Sequence, residues 1–463
     1  MGTLTVDSGY EHHLPLQDEA AGNVKVVSDE AGFRELSGSW TELWEQSESS
    51  VFQSFEWNFT WWKHYGGSKN LCILVCRIDN KVTGIMPLFC DDVRLGKLIL
   101  YSSLRFVGSN VTAPETSSLL GTITYSDYLD IIARKGHEEQ SCAELARFLK
   151  HALVHVDELV LESLDVSQST VLRHLVPLFQ GNGLKVVKKE RASGYRVCLA
   201  ASWELYLATL KKRRRYKFRR ALQRLGNGAG SPLRAKCVTD PVAVMDMFEK
   251  MMDMHQEKWN KKCALGTFYE EKYRSFQREI TSLFHRKGWL ELHCIIDEET
   301  AEPMAIDVNY RTGKHIYAVH TAVKDDAESR RIGPGSLLLA YTLERAADSG
   351  VHVYDFLRGD ESYKSAIAHD ETVLADVYVA SVCRVRDPDC GHFPQVWMPV
   401  KPGIIGRRAA GLLLIRRKVL RQIHHLRLAA RQGALINYIF DRIRHWSSGI
   451  DHHVQKSQNP PEN

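Results

Sequence analysis

Arg330-Arg331-Ile332-Gly333-Pro334-Gly335 sets two glycines where an apolar, helix-periodic run begins. The first N–H groups of a helix lack internal acceptors and lie at the positive end of its dipole, so such a turn suits a pyrophosphate. Glycines let the backbone approach the phosphates, and Arg330 or Arg331 would add a charge-assisted contact. Pro-Gly before a helix is also ordinary turn punctuation, so the chemistry depends on the surroundings. About twenty residues on, "DFLRGDESYK" (355–364) gathers Asp355, Arg358, Asp360, Glu361, Tyr363 and Lys364 around Gly359. Gly359 suits a positive-φ turn, and Arg358, Asp360 and Glu361 fit a solvated ion-pair turn. Asp355 lies on the strand just before the turn, where alternation sends Asp355 and Leu357 to one face and Phe356 to the other.

The elements that must carry these residues alternate between helix and strand. Strands are expected at 23–28, 71–78, 82–90, 97–101, 158–162, 184–189 and 194–200, and helices at 40–64, 138–154 and 168–180. A second unit opens with a helix at 203–225, continues with helices at 241–260 and 268–286, and has strands at 289–296, 303–310 and 314–321. The glycine turn and its helix, a strand at 352–357, the charged turn and a strand at 373–382 complete it. The fold class is α/β with mixed sheets, in two similar halves. The expected division is an extension (1–22), a first lobe (23–200), a basic helix and Gly-rich loop (201–232), a second lobe (233–395) and a basic amphipathic helical tail (396–463).

Composition fits a globular chain: 44% of the 463 residues are hydrophobic and 25% charged. No apolar run reaches the roughly 18 residues that span a bilayer. The ten cysteines fall singly and His151 and His155 lack a third ligand nearby, so no metal is expected. Residues 401–463 hold twelve Lys/Arg against three acids, and Leu412, Ile415, Val419, Ile423 and Leu426 recur at helical spacing among them. That tail suits an anionic membrane surface or a return onto the body. The run 211–224 has nine Lys/Arg and no acid, which raises nucleic acid, anionic lipid or a solvated face as its partner. The expected location is the cytoplasm, with the tail at the inner face of a membrane.

Arg330, Gly333 and Gly335 fill the Arg-x-x-Gly-x-Gly fingerprint, with "VHVYDF" as the following strand and Tyr363 beyond it. In this the chain resembles the acyl-CoA-binding core of the GNAT acetyltransferase superfamily. "FQSFEWNFTWW" (52–62), "LRFVGS" (104–109), "SDYLD" (126–130), "LKKRRRYKFRRALQRL" (210–225) and "YDFLRGDESYK" (354–364) are similar, in that order, to the CelD/BcsL type of bacterial GNAT-like protein. That type is related in architecture to the FemAB peptidoglycan aminoacyltransferases. The resemblance covers roughly residues 25–382 and implies two GNAT-like lobes in tandem.

The resemblance further implies acyl-CoA, such as acetyl-CoA, as donor and an amine as acceptor, either a surface-polysaccharide (glycan) precursor or a small metabolite. It puts Tyr363 forward as the acid that protonates the leaving thiolate, since a phenol near pKa 10 keeps its proton at neutral pH. It gives Lys364 a role at the donor's carrier end or at the oxyanion, with Asp355 orienting Lys364 or binding substrate. Asp307 and His320 on strands, with Asp127 and Asp130 of "SDYLD", are the candidates for base and acceptor contacts. Two other readings suit the same residues: a Fem-like aminoacyltransferase that takes aminoacyl-tRNA, and a non-catalytic scaffold of an envelope polysaccharide assembly.

Overall fold

The computed structural model describes residues 22–381 except 68, 96–97, 110–125, 182, 200–201, 227–231 and 262–265. The expected extension before residue 22 and the basic tail lie outside the described residues.

A strand, helices, three antiparallel strands, a crossover helix and a further strand follow one another in both halves. The first half runs β1 (Val24–Val27), α1 (Glu30–Glu35), α2 (Ser37–Glu45), α3 (Phe55–Tyr65), β2 (Asn70–Ile78), β3 (Lys81–Leu95), β4 (Leu98–Phe106), β5 (Ile132–Ala133), α4 (Glu138–Ala152), β6 (Glu158–Asp165) and β7 (Leu184–Cys198). The second half runs α5 (Trp203–Thr209), α6 (Lys212–Gly226), β8 (Leu233–Val238), α7 (Pro241–Lys261), α8 (Glu271–Arg286), β9 (Leu290–Asp297), β10 (Glu302–Thr312) and β11 (His315–Val323). It ends with α9 (Ala327–Ile332), α10 (Pro334–Asp348), β12 (Val353–Arg358), α11 (Ser362–Ser365) and β13 (Asp370–Ser381). The helix expected at 168–180 is broken into short turns, Val171–Leu175 and Val176–Phe179. Pro177 has no N–H with which to continue an α-helical ladder.

All strands join one mixed sheet in the order β1-β2-β3-β4-β6-β13-β7-β12-β11-β10-β9-β8, with β5 on β3. Two pairs are parallel, β4 with β6 and β11 with β12, and each needs a crossover helix, α4 and α10 respectively. The expected strands at 184–189 and 194–200 are one strand, β7, which pairs with β13 over most of its length and with β12 at its end. β13 stands between β6 and β7. The last described strand of the second half thus completes the sheet of the first, although the division at residues 200 and 233 assigns it to the second lobe.

One face of the sheet carries an aromatic core shared by both halves. Trp57 on α3 meets Phe276 on α8 at 5.1 Å and Tyr310 on β10 at 6.1 Å, and Phe52 meets Tyr317 at 5.7 Å. Trp57 is fully buried, and truncating such a side chain costs about 3–5 kcal/mol. On the other face, α4 covers the first lobe, while α5, α6 and α10 pack together over the second. Among the described residues no helix is long and apolar enough to cross a membrane.

Candidate active site

β11 and β12 are hydrogen-bonded only at their base, where His315–Tyr317 oppose Val353–Asp355. Beyond that point Ala318 to Thr321 and Val323 on one strand, with Phe356 to Arg358 on the other, line a cleft of 850 Å³. Two irregularities accompany the parting. The β10–β11 register shifts between Val308 and Asn309, which face His320 and Ala318 and leave Val319 as the extra residue of a bulge. Leu357 has φ 57°, a left-handed backbone that costs a branched side chain about 1–2 kcal/mol. The Asp355 carboxylate holds it there, accepting the Leu357 N–H at 2.7 Å. The simple alternation expected of this strand is therefore broken: Phe356 and Leu357 both line the cleft, and Asp355 does not.

The glycine turn closes one end of the cleft. Asp326 caps α9 through the Ser329 N–H at 2.7 Å, and Gly333 leaves that helix at φ 71° and ψ 49°. Pro334 then starts α10 with its fixed φ and no N–H, and no acid occupies the first turn. Gly335 comes next, without an intrahelical acceptor for its N–H. A Cβ there would meet Val323 Cγ2 at 3.1 Å and fill the space beside the strand. Arg330 lines the cleft, exposed and paired with Asp325 at 3.0 Å, whereas Arg331 is exposed outside it. The basic run is helix α6, which buries Phe218 and Ala221 and presents Arg214 and Lys217 to the cleft opposite Lys258 of α7. Those three cations, with Tyr354, Tyr273 and Gln277, belong to the site; nothing in sequence spacing ties them to the glycine turn.

Tyr363 stands on α11 at the same cleft, 41% exposed, with Phe356 edge-to-face at 5.9 Å. Partial burial, then the Glu361 and Asp307 carboxylates, raise the phenol above its ordinary value, so the proton stays on. Lys364 also lines the cleft, but its ammonium is 7% exposed and its three protons have partners: Phe356 O at 3.2 Å, Arg358 O at 2.9 Å and Glu361 Oε2 at 2.9 Å. Gly359, at φ 141°, lets this closure form, because a Cβ would strike Glu361 and come within 2.5 Å of Lys364 Nζ.

Asp307 is buried at the cleft wall. Its Oδ1 accepts from Thr321 Oγ1 at 2.7 Å, and its Oδ2 from Asn309 Nδ2 at 3.0 Å and Tyr354 O–H at 3.2 Å. All three donors are neutral, and one Oδ1 lone pair is left over. His320, which opposes Val308 in the β10–β11 register, also lines the cleft, its Nε2 buried without a hydrogen-bond partner. Burial, with the neighbouring His255, lowers its imidazole to about 3, so it is neutral throughout the physiological range. Asp127, also buried at the cleft, forms an ion pair with Arg358, whose Nη2 goes on to Ser163 Oγ at 2.8 Å. Arg358, expected only to shape its turn, joins the two lobes.

Asp355 and Asp130 are not in this cleft; both line a smaller cavity behind the sheet. Burial alone would raise the Asp355 carboxyl, but His315 and Arg196 outweigh it and hold it below the ordinary value. Asp130 accepts the Thr170 N–H at 2.7 Å and the Val171 N–H at 2.9 Å, and burial raises it to about 6. Among the described residues, no three His, Cys, Asp or Glu side chains are grouped as metal ligands.

Residues 212–365, from α6 to α11, match the model of the acetyltransferase (GNAT) domain. Among solved structures, FemX is similar with a TM-score of 0.48 and 13% identity, covering 73% of this chain and 95% of that one. The C-terminal domain of a putative lysylphosphatidylglycerol synthetase from Agrobacterium fabrum gives 0.43 and 11%, over 76% and 92%. A tandem GNAT protein from the clavulanic acid biosynthesis pathway gives 0.38 and 14%, over 78% and 98%. No curated protein matches the sequence.

Proposed function

We propose an acyl-CoA-dependent reaction on an amine for this chain, a tandem GNAT-type N-acyltransferase whose family domain spans residues 212–365. The observation that carries the reading is the parting of β11 from β12, which brings Gly333–Gly335, Asp307, His320 and Tyr363 to one cleft. The residues fit the donor. Gly335 offers an N–H and a surface without a Cβ to the pyrophosphate, and Arg214, Lys217 and Lys258 supply compensating charge. The unpaired edge of β11 offers backbone donors and acceptors to an extended amide-bearing arm. When bound, the thioester supplies the activated acyl carbon.

The chain's own groups handle the protons. Neutral His320 takes no proton; its Nε2 accepts an N–H of the incoming amine and orients it. Asp307 is the proton acceptor, through the Oδ1 lone pair left after Thr321. Tyr363 donates its phenolic proton to the departing sulfur, so amide and thiol leave as neutral products. Lys364 acts by position, fixing the turn that presents Tyr363. Asp127, through Arg358, sets the wall that the acceptor meets. The acceptor is an amine-bearing glycan precursor or small metabolite.

A second reading, transfer from aminoacyl-tRNA, has one observation in its favour: Lys211, Lys212, Arg213 and Arg220 are exposed beside the cleft and pair with no described acid. Calorimetric titration with CoA and acetyl-CoA separates the two. Saturable heat at sub-millimolar ligand is expected; no heat at about 1 mM, with tight and steeply salt-dependent tRNA binding, replaces the first reading by the second.

A further inference from the structure

The smaller cavity behind the sheet, 190 Å³, is a separate feature of the molecule. Asp355 lines it while its chain neighbours Tyr354 and Phe356 line the cleft, so the thickness of β12 divides the two. Two side chains that are more than nine-tenths buried bring unpartnered donors to it. Gln53 is 4% exposed; its Oε1 accepts the Ser50 N–H at 2.9 Å, which fixes the amide and leaves Nε2 without a partner. Arg196 is 5% exposed; its Nε donates to Asp355 Oδ2 at 2.9 Å and its Nη2 to Asp165, but Nη1 has no hydrogen-bond partner, the nearest acid being Asp370 at 3.8 Å. His315 Nε2 lies 3.5 Å from Asp355 Oδ2, and its ring stacks on Tyr317 at 4.2 Å. Buried donors are rarely left unmade, so those of Gln53 and Arg196 indicate an occupant that presents acceptors.

Charge and size narrow the class. Arg196 is already balanced by Asp165 and Asp355, so an anionic occupant would add a further negative charge to a pair of buried carboxylates. A cationic group could pair with the carboxylates of the lining but has no lone pair to accept from Gln53 Nε2 or Arg196 Nη1. A hydroxyl both accepts and donates, and so can serve Gln53 Nε2 and Arg196 Nη1 while giving its own proton to a carboxylate or serine oxygen. The volume equals about six waters at roughly 30 Å³ each, the room needed by one six-membered polyol ring. We infer that this cavity is a second ligand site, which takes a neutral, hydroxyl-rich ring between Gln53 and Arg196. The site does not depend on acyl transfer.

The test is saturation-transfer NMR on the full chain with myo-inositol and D-glucose as neutral probes, and D-glucuronate and D-glucosamine as charged ones, each at about 10 mM. The neutral probes give transfer, and glucuronate binds at least about tenfold more weakly. Gln53→Glu keeps the acceptor for the Ser50 N–H, replaces the donor by a carboxylate oxygen, and lowers the neutral signal at least about fivefold. Gln53→Met, uncharged and of similar volume, does the same if the carboxylate disturbs folding. Tyr363→Phe leaves the signal intact, which separates this site from the cleft. No transfer from either neutral probe, an undiminished signal in both Gln53 variants, or glucuronate binding as well as glucose overturns the inference.

Discussion

The two halves of this protein contain the same junction built to opposite ends. In each, two strands run parallel over three residue pairs and a 15-residue helix crosses between them: β4 and β6 with α4, β11 and β12 with α10. In the second half the strands part and leave a cleft. In the first, every residue of β6 is buried. Glu162 pairs with Arg105 at 2.6 Å, Tyr101 bonds Glu158, and Arg358 of the other half reaches Ser163. The helix starts differ in the same sense. Glu138 and Glu139 occupy the first turn of α4 and satisfy its dipole with the protein's own charge, whereas α10 opens with Pro334, Gly335 and Ser336. An anion can be recruited only where the chain has not supplied one.

That contrast is most sharply tested at Tyr363. Tyr363→Phe should lower kcat by about 10²–10⁴, roughly 3–5 kcal/mol, with CoA affinity unchanged in calorimetry. A fall of less than about threefold removes Tyr363 as the acid. Next in size is the seam that holds the halves in one sheet, where Arg196 on β7 joins Asp165 on β6 to Asp355 on β12. Arg196→Met strands two buried carboxylates and should cost about 3–5 kcal/mol in denaturant unfolding. Acid should weaken the same seam. The Asp355 and Asp165 carboxyls are held below their ordinary value in the folded chain, burial being outweighed at Asp355 by His315 and Arg196 and at Asp165 by Arg196, Ser167 and Thr372. Their contribution is therefore complete above the unfolded value near pH 4, and is lost as pH falls through the lower folded one.

Glu158 behaves in the opposite way and belongs only to the closed junction. Burial raises it to about 7, so the folded chain keeps a proton that the unfolded chain has released between about pH 4.5 and 7. Through that window its contribution falls as pH rises, and above it the buried charge is a cost. Glu158→Gln should stabilise the protein at pH 8 by roughly 2–3 kcal/mol and flatten the dependence; an unchanged melting profile would mean the carboxylate is well solvated. Gly335→Val should weaken CoA binding at least about tenfold, about 1.4 kcal/mol, by placing a branched side chain against Val323. The smallest effect is the mirror experiment. Glu138→Gln with Glu139→Gln should cost about 0.3–1 kcal/mol per charge and create no CoA binding, because the strands beside α4 stay closed.

Much of this was legible in linear order. The Gly333-Pro334-Gly335 turn, the apolar period of α10 and the punctuation at Gly359 are local signals with local causes: a left-handed φ, a proline that begins a helix, a turn with no room for a Cβ. The matched segment 212–365 begins at the first residue of the basic helix α6 and ends with α11, one residue past the charged stretch. The roles around that turn were less legible. Asp355 and Lys364 stand out equally in linear order, yet Lys364 gives its protons to the turn and Asp355 lies behind the sheet by strand alternation, while the left-handed backbone at Leu357 brings Leu357 and Arg358 to the cleft beyond it.

The sequence by itself determined the alternation of elements, the glycine turn and the presence of Tyr363 after the strand, since each rests on propensity, periodicity or backbone sterics within a few residues. Only the tertiary structure decided that β13 completes the first lobe, that Arg358 and Arg196 tie the halves together, and that one of two like junctions stays open. Those outcomes turn on which side chains from distant segments fill the space beside a strand, and that depends on non-local packing and charge pairing rather than on the order of residues along the chain.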